Sequence, residues 1–462
     1  MKKINLLIAG LLTLSLVTFG QDEEKAVPDD RQEIKTGWSL GPLPTITYNS
    51  DLGFQYGGLL DLYNYGDGEL YPNYYERYYL EISRFTKGNG INKFTYESNK
   101  LLKGRSVFFE LLYRTDKQYD FFGPNGYESV YNIDFIDPEG ADYKSRMFYK
   151  NETNYFKVKA DILNPINDNW SWSAGIEFYN FNIKPFNVAK YNEGRDVEDQ
   201  VPDASTMPGL YERYAEWGLI DAEVENGGSF TALKTGIMFD SRNLVSNATK
   251  GIWTELSLVY SPSFLSSSSH SYLKVNLTHR QYFTIIKDRL SFVYRVGYTG
   301  NLIGKEPYYS MPIMYDIMIK GATLNGLGGG KTLRGVKRNR VIGNGEAWIN
   351  NEFRWRVVNF NMLNQYFYIG LVNFLDAGRV VNLIDLQSMV EDANITDPSY
   401  GVYAANSVDE YFNFGAEKLH AAAGLGLYIV MNENFIIRAD YGRAFNIEDG
   451  ISGFYVDINY LF

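Results

Sequence analysis

The chain has 462 residues, with 44 Lys+Arg against 55 Asp+Glu, a net charge of -11, 3 His and no Cys. No basic stripe offsets the acidity, which excludes a nucleic-acid phosphate backbone as partner. With only His270, His279 and His420 and no thiol, a structural zinc site, a disulfide framework and a thiol nucleophile are excluded as well. The aromatic share is 16%, carried mainly by 38 Tyr and 29 Phe, and Gly numbers 43. That profile is odd for a soluble enzyme and natural for a β-barrel with aromatic girdles and mobile loops.

In chain order, the first element is a targeting segment. Lys2 and Lys3 precede an apolar run from Ile4 to Val17, and Thr18 and Gly20 put small residues ahead of Gln21. Residues 1–20 read as a cleaved secretory signal peptide. No Cys follows the apolar run, so lipoprotein processing is excluded, and no later apolar run is long enough for a transmembrane helix. Residues 21–36 are polar and charged and read as a disordered periplasmic linker.

From residue 37 onward the hydropathy alternates with period two. At the C-terminus Phe454, Val456, Ile458, Tyr460 and Phe462 share one face, and Gly453, Tyr455, Asp457 and Asn459 the other. In 345–358, Ala347, Ile349, Phe353, Trp355 and Val357 oppose Asn350, Glu352, Arg354 and Arg356. In 434–445, Phe435, Ile437, Ala439 and Tyr441 oppose Arg438, Asp440 and Gly442. Charges recurring on one face and large apolar groups on the other fit a wall between lipid and a polar lumen; a dry sandwich core would be penalised by several kcal/mol per charge. About 16 such segments follow one another, an even number as bacterial barrels require. The first is placed near Gly37, the sixth near Lys144 and the last near Ser452. The four longest connections, 115–143, 184–228, 302–344 and 379–416, follow the fifth, seventh, eleventh and thirteenth segments, so all lie on one side. The links Asn164–Asp168, Ile286–Asp288 and Asn432–Glu433 are tight. The expected fold is an all-β, transmembrane antiparallel barrel over 37–462, with long extracellular loops and short periplasmic turns.

Few constellations carry chemistry. Gly37-Trp38-Ser39-Leu40-Gly41 matches a nucleophile elbow, but Pro42 and Pro44 follow and no helix can start. Gly328-Gly329-Gly330-Lys331-Thr332 evokes a phosphate-binding loop, yet the required first Gly falls on Asn325. None of the three His sits in a catalytic motif. No enzymatic activity, cofactor or metal is expected. A third constellation differs. The 302–344 connection ends in Leu333-Arg334-Gly335, the next segment carries Asn350-Asn351-Glu352-Phe353-Arg354, and the one after it Phe374-Leu375-Asp376-Ala377-Gly378. Alternation points Glu352, Phe374, Asp376 and Gly378 into the lumen. A loop folded into the barrel, with Arg334 forked onto Glu352 and Asp376, is the economical geometry.

These three motifs resemble the barrel of the BamA/TamA superfamily, the bacterial surface antigen family. Asp240-Ser241-Arg242-Asn243 with Gly251 is similar to that family's Asp-Thr-Arg turn, and the terminal Phe462 resembles its assembly signal. Val336 stands where the family usually has an aromatic after Arg-Gly, and Asp457 where its signal usually has Gly. The resemblance implies a 16-stranded barrel whose first and last strands pair poorly. It implies an activity in outer-membrane protein insertion or polypeptide translocation, and a loop arginine held by Glu352 and Asp376. Members normally carry POTRA domains ahead of the barrel, and residues 21–36 are too short for one. The expectation is a POTRA-less member, surrounded by outer-membrane lipid, that works with outer-membrane assembly proteins or client polypeptides. A passive channel or structural barrel is the alternative. Pro42 and Pro44 bring one further expectation. Sharing a parity and lacking N–H donors, they would weaken a lateral seam with the last strand, near Tyr460 and Phe462. The alternative is that the first strand starts only at Thr45.

Overall fold

The computed structural model describes residues 34–71, 73–315, 325–362, 365–433 and 435–462. The signal peptide read at 1–20 and most of the linker read at 21–36 lie outside the described residues. The first eight strands are β1 (Trp38–Asn49), β2 (Gly53–Asn64), β3 (Glu76–Phe85), β4 (Gly90–Leu102), β5 (Arg105–Asp120), β6 (Lys150–Pro165), β7 (Trp170–Pro185) and β8 (Gly227–Asp240). The second eight are β9 (Gly251–Ser261), β10 (Ser271–Ile286), β11 (Leu290–Lys305), β12 (Gly345–Met362), β13 (Gln365–Asn382), β14 (His420–Met431), β15 (Phe435–Ala444) and β16 (Ser452–Ile458). Each pairs antiparallel with its sequence neighbours, and β1 meets β16 to close the barrel. β1 includes Pro42 and Pro44 and starts at Trp38, so the shorter strand from Thr45 is excluded. Ser39 of the nucleophile-elbow match is an ordinary strand residue.

Alternation places the two chemistries on two surfaces. Leu256, Leu258 and Tyr260 of β9, Ile349, Phe353 and Trp355 of β12, and Leu425, Leu427 and Ile429 of β14 are exposed on the outer wall. Their alternates, among them Glu255, Asn350, Glu352 and Arg354, are buried inside. Opposite charges pair inside the lumen: the Lys234 ammonium sits 2.9 Å from both Asp161 and Glu177. Toward the short-turn end, Trp170 packs on Phe239 (5.0 Å between ring centroids) and Phe292 on Phe353 (4.9 Å), part of an aromatic girdle.

Two expectations need correction. The long connections are not free loops. Phe121, Phe122, Phe135 and Phe148 from 121–149, Tyr214, Trp217 and Ile220 from 186–226, Tyr309 and Ile313 from 306–344, and Leu386, Tyr411 and Phe412 from 383–419 share one buried apolar cluster. Rings from different connections meet: Phe121 and Tyr211 at 5.1 Å, Trp217 and Tyr411 at 5.2 Å. Much of the aromatic excess builds this dome rather than girdles. The same packing explains why β6 starts at Lys150 rather than near Lys144: Phe148 and Tyr149 both bury in the dome instead of alternating.

The second correction concerns the chain end. β16 stops at Ile458, and Asn459 has a positive φ of 70°. That single left-handed residue turns the tail into the lumen. Tyr460 lies under the Arg354 guanidinium (3.9 Å) and against Tyr428 (5.0 Å), with its hydroxyl 3.0 Å from that of Tyr368. Phe462 joins Met238, Trp253, Tyr282 and Val293, and Arg354 donates to a Phe462 oxygen at 2.8 Å. Tyr460 and Phe462 therefore leave the lipid face on which period two would keep them.

Candidate functional site: the lumen loop and the seam

The segment 325–344 between β11 and β12 runs inside the barrel and carries three buried arginines, Arg334, Arg338 and Arg340. Its path depends on close backbone approaches. Gly335 (φ 101°) lies against the Gly442 backbone, and a Cβ there would meet a backbone carbon at 2.6 Å. Gly378 likewise leaves room for Leu327, whose Cδ1 would lie 2.8 Å from an added Cβ. These two glycines let the loop touch the wall.

Arg334 is fully buried. Its Nε and Nη2 donate to the two Asp376 oxygens at 2.8 and 3.0 Å, and its backbone N–H adds a third bond to Asp376 at 3.1 Å. Nη1 donates to Glu352 at 2.8 Å and lies 3.4 Å from Asp440. The guanidinium stacks 3.6 Å from the Phe374 ring centroid. Burial alone would depress the Arg334 pKa; Asp376 and Glu352 carry it the other way, well above the usual arginine value, and the group stays charged. The structure thus brings Arg334, Gly335, Glu352, Phe374, Asp376 and Gly378 together at one place in the lumen.

Four further residues complete the cluster. Arg354 donates to the second Glu352 oxygen at 2.8 Å, and Arg438 donates to Asp440 at 2.8 Å. Three arginines (334, 354, 438) thus face three carboxylates (352, 376, 440), and a fourth buried arginine, Arg295, lies close by and donates to Asn350 at 2.8 Å. Alternation puts Asp440, Arg438 and Arg354 on the lumen face, but it gives no register that would join them to Arg334. The fourth is Asp457. It takes salt bridges from Lys331 of the loop and from Arg438 (3.1 Å), so the loop is tied to the last strand as well as to the wall. The Gly330 backbone packs on the Tyr455 ring of that strand. Farther along, Arg338 reaches Asp116 and Asp120 of β5 (2.5 and 2.9 Å), and Arg340 donates to the Gly126 carbonyl (2.7 Å) under the dome.

The seam is the second part of the site. β1 and β2 share twelve register pairs, whereas β1 and β16 share two, Tyr48↔Val456 and Asn49↔Tyr455. A bond from Ser50 N–H to the Phe454 carbonyl (3.0 Å) extends the join by one residue. Even-numbered β1 residues therefore turn their N–H toward β16. Pro42 and Pro44 have that parity, so the donors they lack are on the seam side. In this register Pro44 would stand opposite Tyr460 and Pro42 opposite Phe462, and both of those residues are folded inward. A shallow apolar groove of about 570 Å³, lined by Pro42, Pro44, Gly58, Leu60, Leu80 and Ile82, marks the outer wall beside the seam.

The Omp85 superfamily domain matches residues 107–462. The chain belongs to the Omp85 superfamily. Its fold is similar to that of BamA from Haemophilus ducreyi lacking POTRA domains 1-3, at 14% identity and a TM-score of 0.51, over 92% of this chain and 70% of that one. It is also similar to CdiB from Acinetobacter baumannii, at 13% identity and a TM-score of 0.44, over 93% of this chain and 61% of that one. No curated protein sequence matches it significantly. Omp85 membership and the lipid-facing apolar wall place the barrel in the outer membrane.

Proposed function

We propose that this Omp85 barrel assists the insertion of outer-membrane proteins, or the passage of polypeptides, by opening laterally between β1 and β16. The observation that carries the reading is the seam: two register pairs where the adjacent join has twelve. Backbone groups facing lipid without partners are costly, each by several kcal/mol. Residues 38–47 of β1 have no register partner on the β16 side, so this edge is the place where an incoming strand gains most by pairing. In this reading the Arg334, Glu352 and Asp376 cluster holds the inner loop in the lumen. Lys331 and Asp457 link that loop to the strand that moves. Tyr460 and Phe462 act as an inner latch, and partner proteins supply the periplasmic capture of clients. The domain reading is part of the same proposal: a signal peptide over 1–20, a periplasmic linker over 21–36 and the barrel over 37–462.

Depletion of the protein in its native host, followed by quantitative profiling of the outer membrane, tests this function. The expected result is loss of a defined set of barrel proteins or exported polypeptides, and co-purification of the protein with assembly factors. An unchanged profile, with steady ion conductance from the purified barrel, would overturn it in favour of a passive channel.

A further inference from the structure

Composition excludes the Cys- and His-rich zinc sites, but one imidazole joined by carboxylates from another loop escapes that count. Asp221 and Glu223 lie in the 186–226 connection, and His270 is the last residue before β10. All three belong to the extracellular rim, away from the loop cluster and the seam. The His270 side chain is 2% exposed, yet its Nδ1 makes no hydrogen bond. Buried ring nitrogens normally have a partner. Here Asp221 Oδ2 stands 3.7 Å from Nε2 and Glu223 Oε2 3.8 Å from Nδ1, both too long for hydrogen bonds. One ligand atom from each residue lies within 4.8 Å of the others. Ligands about 2.0–2.2 Å from a tetrahedral cation stand a little over 3 Å apart, so small side-chain rotations close this set around an ion.

From this geometry we infer that Asp221, Glu223 and His270 form a binding site for a divalent cation of the zinc class, with water completing the coordination. The mixed donor set decides the class. Carboxylates alone suit calcium or magnesium, whereas an imidazole selects for zinc and its neighbours. The carboxylates are already oriented. Ser269 holds Glu223 Oε2 through its N–H (3.0 Å) and its hydroxyl (2.6 Å), and the Glu223 N–H donates to Asp221 Oδ1 (3.1 Å). Lys305 is the resident counter-ion: its ammonium lies 2.9 Å from Asp221 Oδ2 on a side chain that is 72% exposed. An exposed pair of this kind is weak, so an arriving cation displaces the ammonium. Bound metal would clip the segment carrying Ile220 and Val224, both in the dome core, to the mouth of β10.

The test uses the untagged full-length barrel in detergent micelles, titrated with Zn²⁺ by calorimetry and with Co²⁺ by visible absorption. The expected result is one saturable equivalent of Zn²⁺ and a Co²⁺ band that carries an imidazole ligand. His270→Gln and Glu223→Gln should each weaken binding at least about tenfold, since each removes a direct ligand. Lys305→Met should strengthen it, and His279→Gln should leave it unchanged. Zn²⁺ should also slow surface cleavage of the 186–226 connection by added protease. Absence of saturable binding at millimolar Zn²⁺ would overturn the assignment. Binding that survives both His270→Gln and Glu223→Gln, in variants that still show the folded barrel's gel mobility, would do the same. Calcium binding as tight as zinc binding and independent of His270 would contradict the cation class.

Discussion

Arg334 shows how one side chain sets the path of a loop. The residue is wholly buried with Glu352, Asp376 and Asp440, so its removal leaves Glu352 to Arg354 and Asp440 to Arg438 but Asp376 without its ion-pair partner, in a site closed to solvent. Breaking a buried pair of this kind costs about 3–5 kcal/mol. Arg334→Ala should therefore lower the unfolding midpoint in micelles and expose 325–344 to protease, while strand content by circular dichroism stays nearly constant. Asp376→Asn should act more mildly, and the double variant should fall short of the sum, because both changes remove one shared contact. Strictly additive effects would show that the two residues are independent. Lys331→Gln removes the salt bridge to Asp457 without touching the wall, and should free the end of β16 alone, seen as faster hydrogen exchange in 452–458. Much at this scale was legible from parity: Glu352, Phe374, Asp376 and Gly378 point inward because the strand period is two. Asp440 as a third partner of Arg334 was not, since period two gives a face but no register between β13 and β15. The rim set of Asp221, Glu223 and His270 was also out of reach, because its members lie about fifty residues apart in two loops.

At the scale of elements, the strands were readable and the connections were not. β1, β12, β15 and β16 begin at or within one residue of where alternation and turn residues put them, because lipid on one side and water on the other enforce the pattern. Loop aromatics answer to no such period, and the four long connections condense into a common core. Trp217→Ala removes a buried ring that packs on Tyr214, Tyr411 and Phe412. The substitution should loosen the dome by about 3–5 kcal/mol, read as protease sensitivity of the extracellular connections with the barrel intact. The tail makes a second case. Asn459 alone in the left-handed region redirects three residues, and nothing in the hydropathy of Tyr460 and Phe462 separates a lipid-facing end from a lumen-facing one. Phe462→Ala empties a niche lined by Met238, Trp253, Tyr282 and Val293 and should destabilise the latch by a similar amount. The expected readout is a more mobile β16 in hydrogen exchange; a tail as protected as in the parent protein would show that Phe462 does not hold it.

For the whole molecule, the barrel is filled from three directions: the inner loop pinned by its arginines, the tail from below the seam, and the dome above. Such a body should conduct ions poorly in a planar bilayer, and loosening the tail or the loop should raise conductance. Its weak join, between β1 and β16, faces lipid, and the proposed lateral opening would take place there. The chain has no Cys, so Tyr48→Cys with Val456→Cys introduces a unique pair at a register position whose side chains face outward. The expected Cα separation, about 5.5 Å for a hydrogen-bonded antiparallel pair, suits a disulfide. The decisive measurement is the rate at which unfolded outer-membrane protein integrates into liposomes carrying this variant, compared between its oxidised and reduced states. The expected result is acceleration by the reduced protein, its loss on oxidation and its return on reduction; equal acceleration by the locked and unlocked barrels would rule out lateral opening.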